Sequence, residues 1–149
     1  MESLVTNEVP ALHEHIPTYE ELEMEYGTDT DKLCNDHERL IEQILEEEEE
    51  VINGHRKHID EVVDLVKQEM GLLNDVDKPG SDVEDYVNNL RGILQNKMEM
   101  IARMQNQLNE FHKHLKTEEA MSKLYQQQQN LNGVMAPNGE DDEDMLIDM

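Results

Sequence analysis

Residues 77–84, Asp77-Lys78-Pro79-Gly80-Ser81-Asp82-Val83-Glu84, separate two long segments that are rich in helix-forming residues. Pro79 cannot continue a helix, and Gly80 readily takes a turn conformation. Ser81 and Glu84 then match a capping box, in which the Ser81 hydroxyl accepts from the Glu84 amide and Glu84 reaches back to the Ser81 amide. The sequence therefore predicts one helix that stops near residue 76 and another that starts near residue 82.

A seven-residue repeat of apolar residues precedes this break. We predict a helix over about 36–76, capped by Asn35 or Asp36, with Glu38 in its first turn. One row of the repeat is fully apolar, and it consists of Leu45, Ile52, Ile59, Val66 and Leu73. A companion row from residue 41 to residue 76 is only half apolar. One clean row and one mixed row favour packing on a partner helix over a strict two-stranded zipper.

A second repeat follows the break and predicts a helix over about 82–128. Its clean row consists of Val87, Leu94, Ile101, Leu108 and Leu115. Two helices of similar length with a short link usually fold back on each other. We therefore predict that the two clean rows form the helix-packing seam. Folding at Pro79 would also bring the acidic run 46–50 close to the basic stretch 112–116.

The two ends of the chain are weakly patterned. Residues 1–35 carry Pro10, Pro17 and Gly27, and we predict a mostly disordered segment with at most a short helix near residues 19–24. Residues 129–149 read as a disordered acidic tail with a small apolar tip. The predicted fold class is all-α: a long two-helix hairpin or coiled coil (36–128, break at 77–81) between a disordered N-terminal segment and an acidic tail.

The composition limits the classes of partner. Hydrophobic residues make up 36% of the 149, against a typical ~45–50%. Aromatic residues make up 3%, so we expect a thin core. The formal net charge of −24 argues against binding to nucleic acid or an anionic membrane, since both need clustered Lys and Arg. No apolar run approaches the ~18 residues of a membrane helix, and we expect an intracellular protein.

Motifs for catalysis and metal binding are absent from the sequence. It contains neither a GxxxxGK[ST] phosphate loop nor a GxSxG nucleophile elbow. Cys34 is the only cysteine, so neither an intrachain disulfide nor a zinc site built from several cysteines can form. Histidine pairs occur at 55 and 58 and at 112 and 114, but none follows the Glu-x-x-His pattern of helical di-iron sites. We predict no catalytic, cofactor-binding or metal-binding residue.

The acidic clusters are the candidate partner-binding residues. A contiguous run of glutamates on a helix most often forms a solvated surface, and docking of a basic partner is the functional alternative. The apolar tip beside the second cluster could add an anchor. The candidates are Glu46, Glu47, Glu48, Glu49 and Glu50 in the first helix and Asp141, Asp142, Glu143, Asp144, Leu146 and Ile147 in the tail.

Several of these features occur together in one known family. The acidic run 46–50 is followed by His55-Arg56, then by Pro79-Gly80, then by Asp85-Tyr86. In this order, over about residues 36–120, the sequence resembles the C-terminal, post-motor region of the kinesin-13 family, the microtubule-depolymerising kinesins with an internal motor. No single element is specific, and the resemblance rests on their joint order and spacing.

The resemblance implies a role without carrying over an activity. Kinesin-13 proteins use an ATPase motor and a basic neck, and this sequence contains neither, so ATP binding is not implied. The resemblance implies a homodimer that regulates or couples a kinesin-13 motor or neck, with microtubules contacted only indirectly. The implied location is the cytoplasmic cytoskeleton or spindle, with the nucleus as an alternative. Competing hypotheses are an acidic chaperone of histones or other basic proteins and a scaffold subunit of a larger complex.

Overall fold

The computed structural model describes residues 15–135. These residues form three helices and no strand: α1 (Tyr19–Tyr26), α2 (Thr30–Val76) and α3 (Val83–Met135). They divide into two compact units. Unit 1 comprises residues 45–112, and unit 2 comprises residues 15–44 together with 113–135. The predicted all-α fold with a long helical hairpin is confirmed.

The turn between α2 and α3 lies where the sequence predicts it, but its capping differs. Gly80 has a φ of 79°, in the left-handed region that favours glycine. The Ser81 hydroxyl donates to the Val76 carbonyl at 2.9 Å and so closes the end of α2. Asp82 caps α3, because its Oδ1 accepts from the Glu84 amide at 2.9 Å. The predicted Ser81–Glu84 capping box does not form, since the helix begins at Val83 and leaves Ser81 one position too early.

The structure also differs from the prediction at the start of α2. The helix begins at Thr30 rather than near residue 36, because the Asp29 side chain accepts from the Lys32 amide at 3.1 Å. Asn35 and Asp36, the predicted caps, therefore lie inside the helix. Residues 30–35 are helical rather than disordered.

A further helix precedes α2 in the segment predicted to be mostly disordered. Helix α1 is held at its start by a capping box between Thr18 and Glu21, with bonds of 3.1 Å and 2.9 Å. It ends at Gly27, whose φ is 54°. The short helix considered near residues 19–24 is therefore a full element. The rest of the predicted N-terminal segment, residues 1–14, lies outside the described residues.

The predicted end of the second helix is also too early. Helix α3 continues to Met135 instead of ending near residue 128, so residues 129–135 are helical. A run of glutamines, residues 126–129, leads into this extension, and glutamine is a good helix former. Residues 136–149, which include all the predicted tail contacts, lie outside the described residues.

Unit 2 has a small three-part core. Leu33 of α2 is fully buried among Leu22 and Tyr26 of α1 and Met121 and Leu124 of α3. Polar contacts surround this core: His37 lies 3.0 Å from Glu118, and Gln128 bonds the Thr30 hydroxyl at 2.7 Å and the Gly27 carbonyl at 2.9 Å. One glutamine thus ties the loop between α1 and α2 to α3.

In unit 1, α2 and α3 run antiparallel. Lys97 pairs with Glu69, Arg103 lies 4.0 Å from Glu61, and the Gln107 amide donates to the Glu50 carbonyl at 3.4 Å. Residue numbers therefore rise on one helix as they fall on the other. The buried apolar cluster of unit 1 is small, and it consists of Leu65, Ile93 and Met100, with Val62 and Leu72 packed against it.

Candidate interaction surface

The seam between α2 and α3 in unit 1 uses two rows of residues with heptad spacing. We call them the inner seam, and all of its members are buried or half-buried. On α2 the row consists of Val51, His58, Leu65 and Leu72, and on α3 of Tyr86, Ile93, Met100 and Gln107. Each of these residues directly precedes a residue of the rows that the sequence predicts as the seam.

The predicted seam rows are exposed. Each residue of these rows keeps between 38% and 60% of its accessible surface. The rows consist of Leu45, Ile52, Ile59, Val66, Leu73, Val87, Leu94, Ile101, Leu108 and Leu115. The prediction that these rows pack on each other within one hairpin is therefore wrong. The helices are rotated by one residue, about 100° on an α-helix, from the predicted arrangement.

The polar residues of the hairpin explain why the less apolar rows are inside. Glu69 and Lys97 meet across the seam and neutralise each other, at about a quarter to a third exposure. Gly54 leaves room for Gln107, whose Oε1 would lie 2.8 Å from a Cβ added at that glycine. Glu69, Lys97 and Gln107 thus find a partner or a space across the seam. A count of apolar residues per row cannot detect such pairing.

The two exposed rows lie on the same side of unit 1. Each is one residue C-terminal to its inner row, and so is rotated by about 100° around its own helix axis. Because α2 and α3 run in opposite directions, equal rotations of this kind turn both rows toward one side of the hairpin. We call the nine predicted seam residues of unit 1, from Leu45 to Leu108, the outer apolar face. Leu115 belongs to unit 2.

The outer apolar face is densest near the turn. Val63 and Met70 flank its α2 row, Val83 and Met98 flank its α3 row, and all four are exposed. Farther from the turn, the equivalent flanking positions on α2 are the charged residues Glu49 and Arg56. A contiguous exposed apolar patch of this size, bordered by polar residues, is typical of an interaction site.

The acidic run lies beside the outer apolar face on α2. Glu46, Glu48, Glu49 and Glu50 are exposed, whereas Glu47 is half-buried against α3 near Phe111. Five consecutive residues cover more than a full turn of helix, so the charges point in several directions. The structure thus places four of these five candidates where a partner can reach them. The other candidates, in the tail, are outside the described residues.

The most perturbed titratable groups lie in unit 2, away from this surface in the sequence. The Tyr26 hydroxyl donates to Asp36 at 2.7 Å. This bond, with Lys32 and Arg39 nearby, holds the pKa of Asp36 below its ordinary value. Burial and the same carboxylate raise the pKa of Tyr26 well above its usual range. The pair is a structural contact between α1 and α2, because Tyr26 belongs to the core of unit 2.

Residues 15–135 offer neither a metal-binding cluster nor a membrane-spanning helix. In this part of the chain, three or more His, Cys, Asp or Glu side chains nowhere come together in a group that could hold a metal ion. The described helices also include none that is long and apolar enough to cross a membrane.

Two curated plant proteins are similar to part of this chain. The kinesin-like protein KIN-13A of Oryza sativa subsp. japonica is 38% identical over 96 residues, which cover 64% of this chain and 12% of the relative. The kinesin-like protein KIN-13B of Arabidopsis thaliana is 38% identical over 76 residues, which cover 51% of this chain and 11% of the relative. The chain contains a kinesin-13-related region.

This finding confirms the resemblance given by the order of the sequence motifs. The matched region spans only about a tenth of the length of each relative. No family model and no solved structure matches the chain.

Proposed function

We propose that the chain is a non-catalytic helical interaction module that dimerises and that regulates or couples a kinesin-13 motor at the cytoskeleton. The observation that carries this proposal is the outer apolar face. Its nine residues are all aliphatic, whereas the inner seam includes His58 and Gln107, and yet these nine residues are exposed within unit 1. Aliphatic rows with heptad spacing are characteristic of helix–helix association.

Charge supports a basic partner for the acidic run. The chain carries a net charge of −24, and four glutamates of the run 46–50 are exposed. A Lys- and Arg-rich motor or neck surface would be attracted to them. Exposed ion pairs contribute only ~0.2–1 kcal/mol each, so the charges mainly speed the encounter and make it depend on salt. The acidic tail 141–144 would act in the same way, with Leu146 and Ile147 as apolar anchors.

Binding kinetics against a kinesin-13 motor that retains its neck would test the proposal. The triple variant Glu46→Gln, Glu49→Gln, Glu50→Gln should lower the association rate several-fold at low salt, and raised salt should remove the difference. The matched control is Asp60→Asn, Asp64→Asn, Glu99→Asn, which changes the net charge equally at exposed positions outside the run. Equal slowing by both variants would show a general charge effect and not a docking site.

The same assay separates the competing functions. Histones, tubulin and microtubules serve as additional surfaces at matched salt. Strong binding to histones without binding to any kinesin-13 motor would favour the acidic chaperone. Tight binding to bare microtubules would contradict the indirect role proposed for the chain. A chain that binds none of these surfaces and remains a monomer would contradict the proposal as a whole.

A further inference from the structure

We infer that the outer apolar face docks on the same face of a second copy, with the two hairpins antiparallel and Val66 near the two-fold axis. This inference deepens the proposed dimerisation and rests on it. It names the occupant of the face and the geometry of the pair. Four features of unit 1 carry it: the angle between the rows, the exposed area, the charge distribution and the position of one ion pair.

The angle between the apolar rows suits a four-helix bundle. In a square bundle, each helix contacts two neighbours in directions about 90° apart. The inner and outer rows of α2 and α3 differ by one residue, or about 100°. Each helix thus offers one row to its hairpin partner and a second row to a helix stacked on the hairpin. Because both outer rows lie on one side, a second hairpin can cover both at once.

The exposed area suits a stable dimer. Ten exposed large apolar residues lie between Ile59 and Ile101, and each keeps 41–63% of its accessible surface, enough to form the centre of a standard interface of ~800 Å² per partner. They include three row members from each helix: Ile59, Val66 and Leu73 of α2 and Val87, Leu94 and Ile101 of α3. In a dimer with two-fold symmetry, the same patch serves both partners.

The acidic run decides the direction of stacking. If both turns pointed the same way, the Glu46–Glu50 runs of the two copies would lie at the same end of the bundle. Antiparallel stacking centred on Val66 puts them at opposite ends, roughly 50 Å apart at 1.5 Å per residue. This separation is far beyond the screening length of about 8 Å at physiological salt. The antiparallel arrangement thus avoids repulsion between the two acidic runs.

The other charges near the face are compatible with this arrangement. Glu69 and Lys97 lie four residues beyond Leu65 and Ile93, so they are rotated toward the outer face by about 40°. Since they pair with each other, they bring no net charge into the interface. Arg56 flanks the α2 row ten residues before Val66, and Asp77 directly follows the end of α2 eleven residues after Val66, so this arrangement brings Arg56 of each copy to the level of Asp77 of the other.

Single cysteines placed on the two-fold axis test the geometry. In the full chain with Cys34→Ser, Val66→Cys and Leu94→Cys should each give a disulfide-linked dimer under mild oxidation. Lys67→Cys is the matched control, because this exposed residue lies at the same level but points about 100° away from the face. The control should give at most a tenth of the Val66→Cys product. Equal crosslinking by the control would overturn the inference.

Mixtures of the two variants distinguish the directions of stacking. In the parallel arrangement Val66 lies over Leu94 of the other copy, so crosslinks would form in a mixture of the two variants and not in either alone. That outcome would overturn the antiparallel geometry. Light scattering on the unmodified chain measures its molar mass and so tests independently whether a second copy binds. A monomer at all accessible concentrations would exclude a second copy.

The double variant Val66→Asp, Leu94→Asp separates failure of this inference from failure of the proposed function. Both positions are exposed within one chain, so helicity measured by circular dichroism should be retained. Four carboxylates at the dimer centre should weaken self-association by roughly 100-fold or more. If the variant dimerises as tightly as the natural chain, this surface is wrong, while the proposed dimerisation module stands. If the natural chain neither dimerises nor binds the motor, both fail.

Discussion

Because the inner seam lies one residue before the row predicted from the sequence, two neighbouring residues should differ strongly in their contribution to stability. Leu65 keeps 6% of its accessible surface and packs in the buried cluster of unit 1, whereas Val66 keeps 41%. Leu65→Ala should lower the free energy of unfolding by about 3 kcal/mol, the usual range for a buried leucine that leaves a cavity. Val66→Ala removes less buried surface, about 1 kcal/mol or less, and alanine's higher helix propensity offsets part of this loss.

Urea denaturation followed by circular dichroism measures this difference. The experiment is done at high dilution, where the outer apolar face of a monomer is in water, and repeated at high concentration. At high dilution Leu65→Ala should cost several times more than Val66→Ala. At high concentration the cost of Val66→Ala should grow, since the side chain becomes buried in the dimer. A larger cost for Val66→Ala at high dilution would refute the inner seam and restore the row predicted from the sequence.

Three further substitutions test local contacts. Gly54→Ala should leave the stability of the hairpin nearly unchanged, because the ~1 kcal/mol gain in helix propensity is offset by crowding against Gln107. In a Gln107→Ala background the same substitution should stabilise the hairpin, and thermal unfolding measures both effects. Asp82→Ala should cost about 1 kcal/mol through loss of the α3 cap, measured by urea denaturation, with Asp82→Asn as the conservative control. Tyr26→Phe should destabilise unit 2 by about 1 kcal/mol at neutral pH. The pKa of Asp36 is lowered and that of Tyr26 is raised, so the stabilisation is present between their ordinary values of 3.8 and 10.0. It should fade as the pH falls below this window or rises above it, and a difference between natural and Tyr26→Phe chains that stays constant from neutral pH into strong acid would contradict the assignment.

The features predicted correctly from the sequence are those that depend on local chemistry. Pro79 and Gly80 stop one helix and allow a turn, whatever the two helices pack against. The short link then favours antiparallel packing of the two helices. The order of motifs also identifies the kinesin-13 relationship, which the two plant relatives confirm.

The sequence contains local signals for the ends of α1 and the start of α2, although the composition of this segment favours disorder. Thr18 and Glu21 have the spacing of a capping box, and Asp29 precedes a run of helix formers. In the sequence, Pro17 and Gly27 favour disorder, but in the structure they lie just outside the ends of α1. Proline and glycine at such positions bound a helix and do not prevent it.

The seam could not be predicted from the sequence, because the choice between adjacent heptad rows depends on contacts across the hairpin. Both helices offer two rows one residue apart, and the more apolar one is the natural candidate for burial. The pairing of Glu69 with Lys97 and the space that Gly54 leaves for Gln107 become visible only when the helices are placed side by side. An apolar row that packs on an external partner has the same heptad spacing as a row that packs within the hairpin.

The division between a mixed inner seam and an aliphatic outer face connects folding to association. Only Leu65, Ile93 and Met100 form the buried cluster of unit 1, and so small a core contributes little to stability. The outer face adds a larger apolar area, but only when a partner covers it. A partner that binds the folded hairpin stabilises it by mass action, so the unfolding midpoint of unit 1 should rise with chain concentration. Polar pairs between α2 and α3, such as Glu69 with Lys97, would set the register of the hairpin, and the aliphatic face would supply the strength of the assembly. Under the proposed function, such a module would be stable where its partners are concentrated and weak elsewhere.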